Sequence, residues 1–220
     1  MAKYELVTGL LDANEVLAKD NKAFFKKNGV YVVNLMGVPG SGKTTVLEKV
    51  IQGLKEKLNV GVVEGDLYTT KDTERIEKLG IPAVQINTKG ACHLDAATVK
   101  KACSDLPLQE IDLLFIENIG NLVCPAEFDL GENAKVMVMS VTEGNDKPWK
   151  YPLMFRQSKA IIVNKLDLIN YTNFSLEEFK EDMRSINPKA KIIAISASNE
   201  LNFCDLTNWL YEQATGYTNE

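Results

Sequence analysis

Apolar residues fall along the chain in two rhythms. Some short runs are apolar at nearly every position: 30–36 (Val30-Tyr31-Val32-Val33-Asn34-Leu35-Met36), 60–64, 83–86, 111–117, 134–140, 160–164 and 191–195. Such β-branched, unbroken runs read as strands buried on both faces. Between them, apolar residues return at helical spacing, and helices are expected over about 3–28, 43–57, 72–79, 94–103, 174–186 and 203–213. In the first, Leu6, Leu10, Val16, Leu17 and Phe24 set the period and Asn28-Gly29 ends it; Gly80 ends the third. Buried strands alternating with helices indicate an α/β fold, a mostly parallel central sheet with helices on both faces. No linker, repeat or low-complexity stretch interrupts the pattern. One domain is therefore expected over 1–220, with 3–28 as an N-terminal helical extension and 216–220 as a loose tail.

Composition changes this picture little. The chain has 220 residues, 45% of them hydrophobic and 25% charged, so its core needs no disulfide or metal staple. A net charge of −5 argues against nucleic acid as the main partner. No apolar run reaches the ~18 residues of a membrane span, and no signal-peptide core follows Met1-Ala2-Lys3-Tyr4-Glu5. The four widely spaced cysteines read as reduced thiols of a cytoplasmic protein, and Cys103 and Cys204, inside helical patterns, as core.

The first chemistry lies after the first strand. Gly37-Val38-Pro39-Gly40-Ser41-Gly42-Lys43-Thr44 fits G-x-x-x-x-G-K-[ST] between a strand and a helix, the context a phosphate-binding loop requires. Its glycines let backbone N–H groups turn toward phosphate oxygens, and the following helix points its positive end at them. Lys43 reaches the terminal phosphates and Thr44 offers its hydroxyl to Mg²⁺. Two further strand ends carry carboxylates. Glu117-Asn118-Ile119-Gly120 places Glu117 to hold Mg²⁺ or orient water and Gly120 to donate to the γ-phosphate, and Glu64-Gly65-Asp66 makes Asp66 a second Mg²⁺ candidate. Asp72 reads equally as a helix N-cap or as a group orienting the attacking water.

Asn164-Lys165-Leu166-Asp167 follows a later strand and is similar to the guanine-specificity motif of GTPases. A carboxylate there pairs with guanine's N1–H and amino group and is left unpaired by adenine. Ser196-Ala197-Ser198 after the next strand reads as the loop supporting the base, or as a plain turn. The tetrapeptide argues against an ATP-dependent small-molecule kinase. A nucleotide-gated scaffold with negligible turnover stays open, and single-turnover phosphate release separates it from an enzyme.

The other candidate chemistry is soft. Cys92-His93 precedes a helix, and Cys124-Pro125 follows Glu117-Asn118-Ile119-Gly120 on what reads as a loop. Alone, the first pair suits a half-buried core position as well as a ligand site. With Cys124 the three donors suit zinc or nickel better than magnesium, and closing a four-ligand site needs water, a partner chain or a client. Because Cys124 shares a loop with Gly120, nucleotide state is expected to bear on metal affinity.

Together these phrases closely resemble the hydrogenase/urease nickel-maturation GTPases. The resemblance runs from about Lys22 to the C-terminal helix and rests on Met36-Gly37 through Thr45, Glu64-Gly65-Asp66, Ala91-Cys92-His93-Leu94-Asp95-Ala96, Glu117 through Pro125, Ser140-Val141-Thr142-Glu143-Gly144 with Asp146-Lys147, and Asn164-Lys165-Leu166-Asp167. It implies a P-loop NTPase of the signal-recognition-particle/MinD-like class, slow hydrolysis of GTP to GDP, and a nucleotide-promoted homodimer. It implies nucleotide contacts along Gly37–Thr45 and at Gly120, Asn164, Lys165, Asp167, Ser196 and Ala197. It further implies Ni²⁺ or Zn²⁺ on Cys92, His93 and Cys124 at the dimer interface, and nickel delivery to a [NiFe]-hydrogenase large subunit with an accessory protein. The urease branch carries a Cys-Pro-His metal motif; here Cys92 and His93 are adjacent and the proline follows Cys124, which favours the hydrogenase branch. The cysteine-rich N-terminal nickel motif and histidine tract of some members are missing, so nickel storage is not expected.

Overall fold

The structure, a computed structural model, describes residues 6–67 and 71–217. Its seven strands are β1 (Tyr31–Met36), β2 (Val60–Asp66), β3 (Ala83–Asn87), β4 (Leu113–Glu117), β5 (Ala134–Ser140), β6 (Ala160–Asn164) and β7 (Lys191–Ala194). They form one sheet in the order β3-β2-β4-β1-β5-β6-β7. Every pairing is parallel, so the expected "mostly parallel" sheet is wholly so. The sheet belongs to the P-loop NTPase type: chain direction across it reverses at β1, with β4 on one side and β5 on the other, and a crevice opens there at the strand ends.

The helices are α1 (Leu6–Lys27), α2 (Lys43–Leu54), α3 (Lys71–Glu77), α4 (Ala96–Cys103), α5 (Cys124–Glu127), α6 (Lys147–Lys150), α7 (Pro152–Gln157), α8 (Leu176–Ile186) and α9 (Phe203–Tyr217). Alternate residues of β1 supply the two faces. Tyr31, Val33 and Leu35 join Leu47, Ile51, Leu206 and Trp209 in the largest apolar cluster, under α2 and α9. On the opposite face, Val32 packs with Phe25, Val99 and Cys103 under α1 and α4, while Met36 packs with Phe155, Phe179 and Met183 under α7 and α8. Asn34 lies between Val32 and Met36 on that face, fully buried at the seam of the two smaller clusters.

Several expectations need correction. In α1, Leu10 and Val16 are exposed; the buried stripe is Asn14, Ala18, Asn21 and Phe25, spaced as one helix face. The asparagines are buried because they serve backbone groups. Asn21 Nδ2 donates to the carbonyls of Ala96 (2.8 Å) and Leu130 (3.0 Å), and Asn14 Oδ1 accepts from Ala96 N (2.9 Å). Cys204 is exposed, since the buried stripe of α9 is Phe203, Leu206, Leu210 and Ala214. Cys103 is buried, and desolvation pushes its thiol up to about 12. Helix α9 runs on to Tyr217, whose ring meets Tyr31 edge-on at 5.6 Å, so residues 216 and 217 are not tail. Residues 3–5 and 218–220 lie outside the described residues. The fourth helix begins at Ala96, with Asp95 as its N-cap accepting from Thr98 N. The short helices α5, α6 and α7 were not expected; each has a proline at its first or second position, where a missing N–H costs nothing.

Candidate functional site

Helix α2 begins at Lys43 directly after β1 and the glycine-rich turn. Gly42 precedes it with φ +98°, and a Cβ there would lie 2.4 Å from Asn164 Nδ2, so the turn needs glycine for both conformation and space. A cleft of about 360 Å³ opens at this point. Pro39, Gly40 and Gly42–Thr45 form one wall, Glu64–Leu67, Asp72 and Arg75 another, and Glu117–Gly120 the floor. Lys43 Nζ rests on the carbonyls of Gly37 (3.3 Å) and Val38 (3.4 Å), and burial lowers its pKa. The hydroxyl of Thr44 donates to Glu117 Oε1 at 2.8 Å.

The floor concentrates buried acid. Desolvation pushes Glu117 up to about 7, opposed by Lys43 and the Thr44 hydrogen bond. Glu64 rises to about 9, again from burial first and then from repulsion by Glu117, Asp72 and Asp66. The second oxygens of both Glu64 and Glu117 are buried with no hydrogen-bond partner. Carboxylates of Glu64, Asp66 and Asp72 come within 4.8 Å of one another. Crowded carboxylates with orphaned oxygens beside a threonine hydroxyl suit a hard divalent cation, so the residues present fit Mg²⁺.

Two of these residues escaped the sequence reading. Glu64 lies inside β2, within the 60–64 run read as a strand, but it was given no role; a carboxylate within an otherwise apolar run was the available signal. Arg75 reaches the cleft wall from α3. It is held by Glu48 at both Nε (2.9 Å) and Nη2 (2.6 Å), and by Asp72 at Nη1 (3.1 Å). Asp72 lies in the first turn of α3 and spends an oxygen on Arg75, so the structure pairs it with a cation in the cleft wall.

A second group lies at the ends of β6 and β7. Asn164 Nδ2 donates to Ser41 O (3.0 Å) and its Oδ1 accepts from Ala197 N (3.0 Å). It is fully buried and brackets the phosphate loop to the Ser196–Ser198 loop, making no surface contact of its own. Lys165, at φ +63°, donates to Gly40 O at 2.6 Å. Ser196 Oγ donates to Asp167 Oδ1 at 2.5 Å, which holds that carboxyl below its ordinary range.

The thiols and the imidazole also converge. Cys92 Sγ is 3.2 Å from Cys124 Sγ and 3.6 Å from His93 Nδ1, and the three donors lie within 4.8 Å of one another. The His93 ring lies against Phe128, the ring centroids 3.9 Å apart and the planes tilted by 36°, and desolvation lowers its pKa, favouring the neutral imidazole that ligates metal. Burial and the Cys92 contact push the Cys124 thiol up. Cys124 is not on an open loop as expected: it starts the one-turn helix α5. Cys92 is exposed and Cys124 partly so.

One short segment joins the two sites. A Cβ on Gly120 would meet Pro39 Cγ at 2.7 Å and Pro39 N at 2.8 Å, so this loop lies directly on the phosphate loop. Asn121 next forms an antiparallel bridge to Gly37. Its Nδ2 donates to Cys92 O (3.2 Å), and its Oδ1 accepts from Val123 N (3.0 Å).

Residues 31–194 match the family model described as CobW/HypB/UreG, nucleotide-binding domain. Hydrogenase maturation factor HypB of Escherichia coli K12 is 47% identical over 209 residues, 95% of this chain and 72% of that protein. The probable hydrogenase maturation factor HypB of Methanocaldococcus jannaschii is 42% identical over 87% of each chain. Among solved structures, HypB from Helicobacter pylori in complex with nickel superposes with a TM-score of 0.88 at 40% identity, covering 93% of this chain and 97% of that one. Signal recognition particle receptor FtsY from Elizabethkingia anophelis shares the fold, at TM-score 0.56 and 19% identity.

Proposed function

The chain belongs to the CobW/HypB/UreG nucleotide-binding family and is of the HypB hydrogenase maturation type; on that premise we propose that it is a slow GTPase that delivers nickel during [NiFe]-hydrogenase maturation. Gly37–Thr45 and Gly120 take the phosphates. Lys43 places its charge at the β- and γ-phosphates. Asp167 takes the guanine edge, aided by Lys165 and the Ser196-Ala197 loop, while Asn164 keeps that loop in register with the phosphate loop. Thr44, Asp66 and Glu117 hold Mg²⁺, with Glu64 behind them. Bound Mg²⁺ supplies positive charge against the phosphate oxygens. Glu117 and Asp72 are the groups placed to orient water. Turnover is slow because the nearby arginine, Arg75, is already neutralised by Glu48 and Asp72 and no other arginine lines the cleft among the described residues.

Nickel is cargo here. The Helicobacter pylori relative holds nickel, and Cys92, His93 and Cys124 offer the matching class of soft and borderline donors, which also suits zinc. Three donors leave a four-coordinate site open, and a second copy related by a two-fold axis offers each donor again. The homodimer, a hydrogenase accessory protein and the hydrogenase large subunit are the partners of this reading, which takes the chain as one cytoplasmic domain with α1 as its extension.

The observation that carries it is the segment from Glu117 to Cys124. It begins on the carboxylate bound to Thr44, lies on Pro39, and ends on the thiol beside Cys92. Any nucleotide contact that shifts this segment shifts a metal ligand. Phosphate release in single turnover, with GTP and ATP in competition, tests the enzyme; nickel uptake by wild type and Cys92→Ala tests the cargo site. Preference for ATP, or undiminished nickel binding in Cys92→Ala, contradicts the reading.

A further inference from the structure

The seam between the two smaller apolar clusters holds an unbroken polar chain. Asn118 Nδ2 donates to Asn34 Oδ1 (3.1 Å). Asn34 Nδ2 donates to Glu132 Oε1 (3.0 Å). Lys135 Nζ lies 3.8 Å from the same Oε1, and Glu132 Oε2 accepts from Leu130 N (2.6 Å). Asn34 and Lys135 are cross-strand neighbours on β1 and β5. Asn34 and Asn118 are at most 1% exposed, and burying such groups is costly unless each is partnered.

Both ends of the chain hold backbone groups next in sequence to the thiol–imidazole donors. Asn118 Oδ1 accepts from Leu94 N (3.3 Å), next to His93, and from Ile119 N (2.9 Å). At the far end, Lys135 Nζ donates to Ala126 O (2.8 Å), with Pro125 O and Phe128 O at 3.4 Å. These are carbonyls at the C-terminal end of the helix that starts at Cys124. A single helical turn has no cooperativity of its own, so its orientation is fixed by what grips its ends, and a cation at its C-terminal carbonyls is the favourable arrangement.

We propose that Asn34, Glu132 and Lys135, with Asn118, are positioning residues for nickel: they set the spacing between the Cys92-His93 segment and the helix bearing Cys124. The inference rests on the reading of Cys92, His93 and Cys124 as the nickel site. Asn118 lines the phosphate cleft but Asn34, Glu132 and Lys135 do not, so variants of Glu132 and Lys135 separate the effect on metal from direct nucleotide contact.

Lys135→Met and the shape-conserving Glu132→Gln test it in the full chain. Nickel affinity is measured against a chromophoric chelator, alongside GDP affinity, melting temperature and the thiolate-to-nickel charge-transfer band at saturating nickel. Lys135→Met is expected to weaken nickel about tenfold or more, the scale of outer-shell changes at metal sites, and to alter the band while GDP affinity stays within about twofold. Glu132→Gln is expected to do the same to a smaller degree, and it decides the matter if Lys135→Met does not fold. Wild-type nickel affinity with an unchanged band, whatever the melting temperature, overturns the inference and leaves the nickel site standing. Failure of wild type to bind nickel, or wild-type binding in Cys92→Ala, overturns the underlying site and the inference with it.

Discussion

Replacing Gly120 with alanine drives a methyl group into the phosphate loop. Its Cβ would sit 2.7 Å from Pro39 Cγ and 2.8 Å from both Pro39 Cδ and Pro39 N. Relief to ordinary contact at 3.4 Å requires the two loops to part by at least roughly 0.7 Å, since packed atoms give little way. Pro39 cannot yield by rotating its own φ, which its ring fixes, so the strain passes into the backbone that cradles phosphate or into the segment leading to Cys124. Overpacking of this kind costs about 1–3 kcal/mol, and if the cradle takes it, GDP affinity falls by roughly 5- to 150-fold. Isothermal titration with GDP and Mg²⁺ reads this directly. Gly9→Ala is the control, because nothing lies within 4 Å of a Cβ there. If the segment leading to Cys124 takes the strain instead, nickel affinity falls, so a folded Gly120→Ala protein with wild-type affinity for both GDP and nickel refutes the reasoning, whatever its melting temperature.

Asp167→Asn is expected to weaken GTP by roughly 10- to 150-fold, the worth of a charge-assisted pair of about 1.5–3 kcal/mol, and to improve xanthosine triphosphate; unchanged GTP affinity in a competition assay places the base elsewhere. Lys43→Ala is expected to lose nucleotide binding or turnover, and wild type without partners to stay below ~1 s⁻¹; a faster steady-state rate contradicts the account of Arg75 as a neutralised group. Glu132, faced by Asp129 and Lys135, with Glu15 and Lys19 around the same surface recess, has its pKa raised by burial from 4.5 to about 7. A raised native pKa means stability present below about pH 4.5 is lost as pH climbs through about 7, to the extent of about 3 kcal/mol. Melting temperatures of wild type and Glu132→Gln should therefore converge in acid and separate in the variant's favour toward pH 7; a pH-independent difference rules this out.

Most of the strands and long helices were legible because they carry strong periodicity, and the phosphate loop because its glycines and lysine are consecutive. What was not legible depended on partners distant in sequence. Leu10 and Val16 looked like the inner face of α1, yet Asn14 and Asn21 take that place because Ala96 and Leu130 offer backbone groups to satisfy them. Cys204 lies one position off the buried stripe of α9, a difference that helical spacing alone resolves poorly. Helices α5, α6 and α7 are too short to show a period. At the cleft, Asp66 and Glu117 stood out at strand ends, whereas Glu64 hid among apolar neighbours within β2. Arg75 gave no signal, since its place depends on Glu48 of α2. The proximity of Cys92 to Cys124 was inferred from chemistry rather than spacing; it arises because β4 lies beside β1 and sends its following loop over Gly37.

The central claim is that nucleotide state and metal affinity are linked through the segment from Glu117 to Cys124. Equilibrium dialysis with radioactive nickel, in GDP and in a slowly hydrolysed GTP analogue with Mg²⁺, tests it most directly when the oligomer mass is read on the same samples. The account predicts different nickel affinities in the two states, a dimer with the GTP analogue, and, by linkage, a reciprocal change in nucleotide affinity when nickel is added. Equal nickel affinity in both states with no change in mass contradicts it.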